Sequence, residues 1–184
     1  AFVCMILYNL FPPLAGHVKD WSPHLRRAAD LGFDSVFLNP VQYPGYSGSL
    51  YSIKDYFRLN PMIADGPTQR EAEAAFRQCV KEANALGLKV IVDLVISHCA
   101  FDSDLIRKHP EWFVMEKGQV AHPWCMDGEK KVVWRDLAQF DHKHSRDREG
   151  LYRFLFKVVE YLLGLGISGF RCDAAYQVPA AFWR

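Results

Sequence analysis

The sequence has little net charge and no long hydrophobic segment. Its 184 residues carry 22 Lys and Arg against 21 Asp and Glu, a balance that argues against a protein that binds nucleic acid or a membrane surface. Its longest apolar runs fall well short of the roughly 20 residues that span a bilayer, and no charged segment precedes a signal-like run. Half of the residues are apolar, so the composition predicts a soluble globular protein with a buried core.

Paired cysteines are also missing. The five cysteines are odd in number and form no CxxC motif, and several lie among apolar residues, as small core side chains do: Cys4, Cys79, Cys99, Cys125 and Cys172. Reduced thiols are therefore favoured over a disulfide framework, which favours a cytoplasmic location. The chain does not begin with Met, and we expect it to be an excerpt of a longer protein.

Strand-like and helix-like segments alternate along the chain. Apolar runs predict strands at residues 1–8, 34–40 and 88–97 and a fourth that follows Gly166. Helices are predicted between them at residues 22–32, 68–87 and 151–164. The first helix has Ser22 as its expected N-cap, and the second has a capping box of Thr68 and Glu71. Nearly all-apolar strands that alternate with helices predict a parallel sheet covered on both faces.

One segment, residues 99–147, breaks this alternation. It places about fifty residues between the third strand and its helix, where two to six are usual, which predicts a small inserted subdomain or a long functional loop. The segment is rich in Trp, His and Pro. Trp112, Trp124 and Trp134 have two readings: a platform for carbohydrate, or a local core that holds an irregular insertion together. The second reading is favoured.

Polar residues follow the predicted strands at matching places. Asn39, Asp93 with His98, and Arg171 with Asp173 lie at or beyond strand ends, where parallel α/β folds gather their active sites. Arg171 and Asp173 are two residues apart and are expected on one face of a buried strand, where a charge needs a partner. Taken singly, His98 can also be a satisfied loop histidine, and Asp93 is favoured as a structural partner of Arg171.

Four segments resemble the α-amylase family. "DLVISH" resembles its D-x-V-x-N-H segment, and "GFRCDAA" resembles the G-F-R-x-D-A segment that carries the catalytic nucleophile. "SLYSIKDYFRLNP" is similar to the stretch after the second strand of that family, and "VWRDLAQFD" to the stretch before the fourth. The shorter "HPEWF" and "VPAAFW" resemble its glucan maltosyltransferase branch.

The resemblance implies an α/β fold and a role for each matched residue. Residues 1–184 would form about the first four β/α units of a (β/α)8 TIM barrel, with the small inserted subdomain at 99–147 after the third strand. Asp173 would be the nucleophile of a retaining double displacement on an α-glucosidic bond, and Arg171 would hold it ionised. Tyr51 would stack on the sugar that is cleaved, His98 would hydrogen-bond its hydroxyls, and Asp93 would be structural at the site.

The resemblance also implies what lies outside this segment. A retaining glycosidase needs a second carboxylic acid about 5 Å from the nucleophile, and the family supplies it as a Glu after the fifth strand. The expected partners are an α-glucan substrate and either the remainder of the barrel or a second copy of the fragment, and the isolated 184 residues are expected to be inactive. Hydrolysis and transfer stay open. The alternative function is a catalytically inactive amylase-like domain that serves as a partner or carbohydrate-binding subunit.

Two serines depart from the family pattern, and one of them stands at a position that bears on metal binding. Ser52 stands where the family usually has Asp, and Ser97 where it has the Asn that commonly contributes to a calcium site. The sequence also lacks a DxDxDG loop. Calcium is therefore doubtful, and neither a metal nor another cofactor is predicted.

Removal of divalent cations tests this expectation. Because Ser97 lacks the amide oxygen of a calcium ligand, dialysis of the whole protein against a chelator should leave its melting temperature and activity nearly unchanged. The measurement is a thermal unfolding curve before and after dialysis. A melting temperature that falls on chelation and recovers with added calcium would show that a metal site had been missed.

Overall fold

The computed structural model of the protein describes residues 5–184. The first predicted strand, at 1–8, therefore lies partly outside the described residues, and the strand observed there runs from Leu7 to Leu10. The other predicted strands and helices of the alternating pattern are present, with ends that lie within three residues of those predicted. The largest differences are the end of the third strand, at Leu94, and the start of the last helix, at Arg148.

The described strands, in chain order, are β1 (Leu7–Leu10), β2 (Ser35–Leu38), β3 (Gln42–Pro44), β4 (Ile53–Leu59), β5 (Lys89–Leu94), β6 (His98–Ala100), β7 (Met115–Glu116), β8 (Gln119–Val120), β9 (Trp124–Asp127), β10 (Lys130–Val133), β11 (Leu137–Gln139) and β12 (Gly169–Cys172). The α-helices are α1 (Pro12–Ala15), α2 (Ser22–Asp30), α3 (Gln69–Ala85), α4 (Leu105–Lys108) and α5 (Arg148–Gly164). Single 3₁₀ turns lie at Val18–Asp20, Pro110–Trp112 and Ala175–Gln177.

The main sheet has the strand order β1-β2-β5-β12, so its strands are neighbours in the order in which the chain forms them. β1 pairs with β2 and β2 with β5 in parallel, with Leu7 opposite Ser35 and Val36 opposite Val90. Helices α2, α3 and α5 lie between successive strands of this sheet in the sequence. The predicted α/β class and the parallel pairing of the first three strands are confirmed.

Two local expectations differ from the structure. Ser22 is the first residue of α2 and not its N-cap, which is Trp21, because the Ser22 hydroxyl donates its hydrogen bond to the Glu82 carboxylate and caps nothing. The fourth strand, β12, is half-exposed and not buried, since it is the last strand in the order of the described sheet.

The chain divides into two compact units, and neither is continuous in sequence. Unit 1 comprises the residues up to Val41, Phe57–Leu94 and Val159–Arg171. Its core contains the main sheet and α2 and α3, which contact each other. Trp21 and Phe76 are buried there with their ring centroids 6.2 Å apart, and the Trp21 indole donates to the Gly16 carbonyl. Burial of such rings supplies much of the hydrophobic stabilisation of a core.

Unit 2 comprises Gln42–Tyr56, Val95–Val158 and Cys172–Arg184, and it contains the segment 99–147 that was predicted as an insertion. Short antiparallel pairs organise it: β6 with β11, β7 with β8, and β9 with β10. Phe154 packs between Tyr56 and Trp112, with centroid distances of 5.7 Å and 5.4 Å. An aromatic core thus replaces regular layers in this unit.

The three tryptophans of the insertion have different environments. Trp112 is buried, stacks on His109 at 3.8 Å and donates to the Asp147 carboxylate, as the reading of a local core predicts. Trp124 and Trp134 are 45% and 38% exposed. The Lys131 ammonium lies 4.3 Å from the centre of a Trp124 ring, a cation–π contact. Only Trp112 of the three is therefore part of the core.

Four of the five cysteines lie among the described residues, and these four are free thiols: Cys79, Cys99, Cys125 and Cys172. Burial raises the pKa of the Cys79 thiol to about 12, and it raises that of Cys99 as well. Both thiols are therefore protonated and unreactive at neutral pH. No helix between residues 5 and 184 is both long enough and apolar enough to cross a membrane.

The predicted capping box at the start of α3 is present. The Thr68 hydroxyl accepts from the Glu71 amide, and the Glu71 carboxylate accepts from the Thr68 amide at 3.0 Å. Two backbone donors that the helix cannot satisfy itself are thereby paired. Gly87, with φ 81°, follows the helix at its other end, a conformation that suits glycine.

The capping box gives a stability prediction. Thr68→Ala removes the acceptor for the Glu71 amide and should lower the free energy of unfolding by about 1 kcal/mol. Urea unfolding followed by circular dichroism measures the change. Thr68→Ser keeps the hydroxyl and should remain close to wild type, and equal midpoints for the Ala and Ser variants would contradict the assigned role.

Candidate active site

The fully buried carboxylate of Asp93 in β5 is paired with Arg171 in the neighbouring strand β12. Arg171 Nη1 donates to Asp93 Oδ1 at 2.8 Å, and the Asp93 side chain has no exposed surface while that of Arg171 is 50% exposed. A carboxylate is costly to bury unless a charged donor compensates it. The ion pair thus has one buried partner and one partner that also reaches solvent.

Asn39 follows β2 directly, as the sequence predicted for a polar residue at a strand end. Asn9 of β1 lies opposite Phe37 of β2. Its side-chain amide donates to the Asn39 side-chain oxygen at 3.0 Å and to the Phe37 carbonyl at 3.1 Å. Asn9 was not singled out from the sequence. Its contacts tie the ends of β1 and β2 together in unit 1.

His98 begins β6 in unit 2 and is only 6% exposed. Its Nδ1 lies 2.9 Å from the hydroxyl oxygen of Ser97, and its Nε2 lies 3.2 Å from the backbone carbonyl oxygen of Tyr51. The His98 carbonyl accepts a 2.7 Å hydrogen bond from the Tyr56 hydroxyl, which is also buried. Both ring nitrogens and the backbone of His98 are therefore held.

Burial lowers the pKa of His98 below its ordinary value of 6.5. The carboxylates of Asp173 and Asp136 and the Tyr51 carbonyl act in the opposite direction, but they are outweighed. The loss of solvation disfavours the imidazolium more than these groups favour it. His98 is thus neutral near pH 7 in an environment that contains two carboxylates.

Tyr51 is half-buried in the turn that precedes β4, and the next residue, Ser52, is fully buried. The Ser52 hydroxyl donates to the Asp136 carbonyl at 3.1 Å. The turn that carries Tyr51 is therefore held from two sides within unit 2: its Ser52 hydroxyl contacts Asp136, and its Tyr51 carbonyl contacts His98.

Asp173 is the first residue after β12, and an unusual backbone conformation follows it. Ala174 adopts φ 43° and ψ 39°, in the left-handed region that costs a residue other than glycine roughly 1–2 kcal/mol. A 3₁₀ turn at Ala175–Gln177 comes next. The chain thus turns sharply after the predicted nucleophile, and backbone strain of this kind concentrates at functional sites.

The five predicted site residues fall into two groups. Asp93 and Arg171 belong to unit 1 and form the ion pair described above. Tyr51, His98 and Asp173 belong to unit 2, where His98 contacts the Tyr51 carbonyl and the charge of Asp173 acts on its ring. The functional roles assigned to these residues remain predictions.

The serines at the two departures from the family pattern both have partners within the protein. The Ser97 hydroxyl contacts the His98 ring, and the Ser52 hydroxyl donates to a backbone carbonyl. No group of three or more His, Cys, Asp or Glu side chains within residues 5–184 is arranged to hold a metal ion.

Two residues that influence His98, one by its charge and one by a hydrogen bond, had no functional role predicted from the sequence. Asp136 was part of a matched segment, and its carboxylate raises the pKa of His98 against the effect of burial. Ser97 was noted as a missing metal ligand, whereas its hydroxyl is hydrogen-bonded to the imidazole. The adjacent Ser and His were visible in the sequence, but their backbone conformation, which decides whether they meet, was not.

Residues 2–118, which contain Tyr51, Asp93 and His98, match the model of a known protein family. A model of the family described as "Glycogen debranching enzyme, glucanotransferase domain" matches residues 2–118, which is more than half of the chain. The chain belongs to this family. The α-amylase family resemblance, with its suggestion of the maltosyltransferase branch, is confirmed by the relatives below.

Individual proteins extend the match over nearly the whole chain. The α-amylase MalA of Haloarcula japonica is 28% identical over 97% of this chain and 26% of its own length. An alpha-1,4-glucan:maltose-1-phosphate maltosyltransferase of Arcanobacterium haemolyticum is 28% identical over 96% of this chain and 29% of its own. The crystal structure of an α-amylase from Lactobacillus plantarum superimposes with a TM-score of 0.78 at 29% identity, over 97% of this chain and 40% of that one.

The chain therefore spans only a little over a quarter of the length of the two curated relatives. The match to MalA covers 97% of this chain, the chain that carries the predicted nucleophile and the predicted sugar-binding residues.

Two buried histidines give this family member a predicted pH dependence. Burial lowers the pKa of His98 and His142 below the value of 6.5, so the unfolded chain takes up protons first as the pH falls. The stability contributed by the neutral rings is complete above about pH 6.5 and is lost as the pH falls from there towards the folded-state pKa values.

The test uses His142, which lies outside the predicted catalytic residues and whose Nε2 contacts the Ile96 carbonyl at 2.8 Å. His142→Gln keeps a donor for that carbonyl and should reduce the loss of stability between about pH 7.5 and pH 5.5, measured as the shift of the urea midpoint. His144→Gln, at an exposed position, is the matched control and should leave that loss as in wild type. An unchanged loss in His142→Gln would contradict the prediction.

Proposed function

We propose that the protein to which this chain belongs is a carbohydrate-active enzyme that cleaves or transfers α-glucosidic bonds by a retaining double displacement. The observation that carries the proposal is the grouping in unit 2 of Tyr51, His98 and Asp173, the residues that the family pattern assigns to sugar stacking, sugar hydrogen bonding and nucleophilic attack. The relatives support it, because one is named an α-amylase and another a maltosyltransferase with an α-1,4-glucan substrate.

We infer that the fold is the first part of a (β/α)8 barrel with a small insertion after the third strand. Support comes from the strand order β1-β2-β5-β12, which follows the chain, and from the helices that separate the strands in sequence. The likeness to an α-amylase crystal structure at a TM-score of 0.78 supports the same architecture. In such a barrel the catalytic residues lie at the carboxyl ends of strands, which is where Asp173 and Asp93 lie in the sequence of β12 and β5.

The proposed chemistry begins with the Asp173 carboxylate. It attacks the anomeric carbon of the sugar while the bond to the leaving oxygen breaks, which gives a covalent glycosyl–enzyme intermediate. Water or a sugar hydroxyl then attacks that carbon and releases Asp173. The acid that protonates the leaving oxygen is proposed to come from a later strand of the barrel in the whole protein.

The remaining residues would support this step. Arg171 precedes the nucleophile by two residues and is proposed to supply a positive charge beside it. Its ion pair with the buried Asp93 fixes the guanidinium. Tyr51 is proposed to stack on the sugar, and the neutral His98 to hydrogen-bond its hydroxyls without adding a positive charge.

Substitution of the nucleophile tests the proposal. In the whole protein, Asp173→Asn keeps the shape of the side chain but removes the attacking charge, so turnover of maltooligosaccharides should fall by several orders of magnitude with little loss of fold. Activity is measured by chromatography of the products, which separates hydrolysis from transfer: shorter chains alone indicate water as the acceptor, and longer chains indicate a sugar.

Asp127→Asn, at an exposed position of β9, is the matched control and should keep full turnover. Near-normal activity of Asp173→Asn would reject Asp173 as nucleophile. A wild-type protein that binds maltooligosaccharides but never turns them over would favour the alternative, a catalytically inactive amylase-like domain with a binding role.

A further inference from the structure

The neutral His98 ring has two possible positions for its proton, and its contacts select one. Nε2 faces the Tyr51 carbonyl oxygen at 3.2 Å, and a carbonyl can only accept, so Nε2 must carry the proton. Nδ1 of the neutral ring is then an acceptor, and the hydroxyl of Ser97, 2.9 Å away, must be its donor. The geometry therefore defines both the tautomer and the direction of both hydrogen bonds.

The surroundings make this arrangement costly to change. Ser97 is 1% and His98 6% exposed, so neither nitrogen has ready access to water in place of its protein partner. A buried acceptor that loses its donor destabilises the folded state. The opposite tautomer would direct the lone pair of Nε2 at the lone pairs of the Tyr51 carbonyl.

We propose that Ser97 is a positioning residue, which holds the His98 ring at Nδ1 and, through that ring, the turn that carries Tyr51. The inference rests on the proposed function, in which His98 and Tyr51 both contact the sugar. The hydroxyl of Ser97 would thus orient the two sugar-binding residues at once, although it touches neither the sugar nor the reacting atoms.

The hydrogen-bond direction has a consequence for sugar binding. His98 presents an N–H group, and a sugar oxygen that approaches Nε2 meets a donor already directed at the Tyr51 carbonyl. The sugar must share or replace that bond, and an orientation fixed in advance lowers the entropic cost of doing so. Loss of the Ser97 hydroxyl would leave Nδ1 without its donor and the ring held at Nε2 alone.

The experiment reads the tautomer directly. In the whole protein labelled with ¹⁵N-histidine, nitrogen–proton correlation spectra at pH 7 should show a protonated Nε2 and a bare Nδ1 for His98, whose signals are those absent from His98→Gln. Ser97→Ala should shift the Nδ1 signal of His98, because that nitrogen loses its donor, and should lower kcat/KM for maltooligosaccharides by roughly five- to tenfold, the effect of one neutral hydrogen bond. Ser97→Thr keeps the hydroxyl and should retain both properties.

A role of Ser97 in stability alone would lower the urea midpoint of Ser97→Ala without changing the His98 spectrum, and that result would overturn the proposal. So would a wild-type spectrum with a protonated Nδ1. If Ser97→Ala does not fold, Ser97→Cys, with a weaker donor of similar size, should give a partial loss, and a wild-type pattern in that variant would count against the role. A whole protein that is inactive on α-glucans would reject the proposed function, while the spectra would still decide whether the Ser97 hydroxyl donates to His98.

Discussion

A buried carboxylate that needs a cation links the last strand of the main sheet to its neighbour. Asp93 has no exposed surface, and an isolated charge in such a place would destabilise the fold. Arg171 supplies the compensation from β12, a strand that is itself half-exposed and therefore gains less from burial than β2 or β5. The contact thus joins the strand that precedes the predicted nucleophile to the strand that precedes His98.

In unit 2, the burial of His98 is the constraint on which the neighbouring contacts depend. It keeps His98 neutral although Asp173 and Asp136 both favour the charged ring, and it makes each hydrogen bond of that ring costly to lose. The Tyr56 hydroxyl holds the backbone of the same residue. Under the proposed function, a neutral imidazole held at three points would donate to a sugar without adding charge beside the proposed nucleophile.

The departures from the family pattern gain a common explanation in these contacts. At the two departures this chain has serines whose hydroxyls are occupied with protein partners. Both serines hold the surroundings of Tyr51 and His98, one through the Asp136 carbonyl and the other through the imidazole. Both hydroxyls are thus used in hydrogen bonds within the chain.

The sequence by itself determined the order of the strands of the main sheet and of the helices between them, the capping box of α3 and the family. Periodicity, helix caps and contiguous motifs are local properties of the chain. The sequence also indicated which polar residues follow strands. The pairing of Asp93 with Arg171 was favoured from the sequence and is present. Only the tertiary structure decided that β12 is half-exposed, that Trp112 alone of the three insertion tryptophans is buried, and that Ser97 contacts the His98 ring. Each of these depends on how closely segments far apart in sequence approach, or on one backbone angle, and burial and hydrogen-bond partners follow from those distances rather than from residue type.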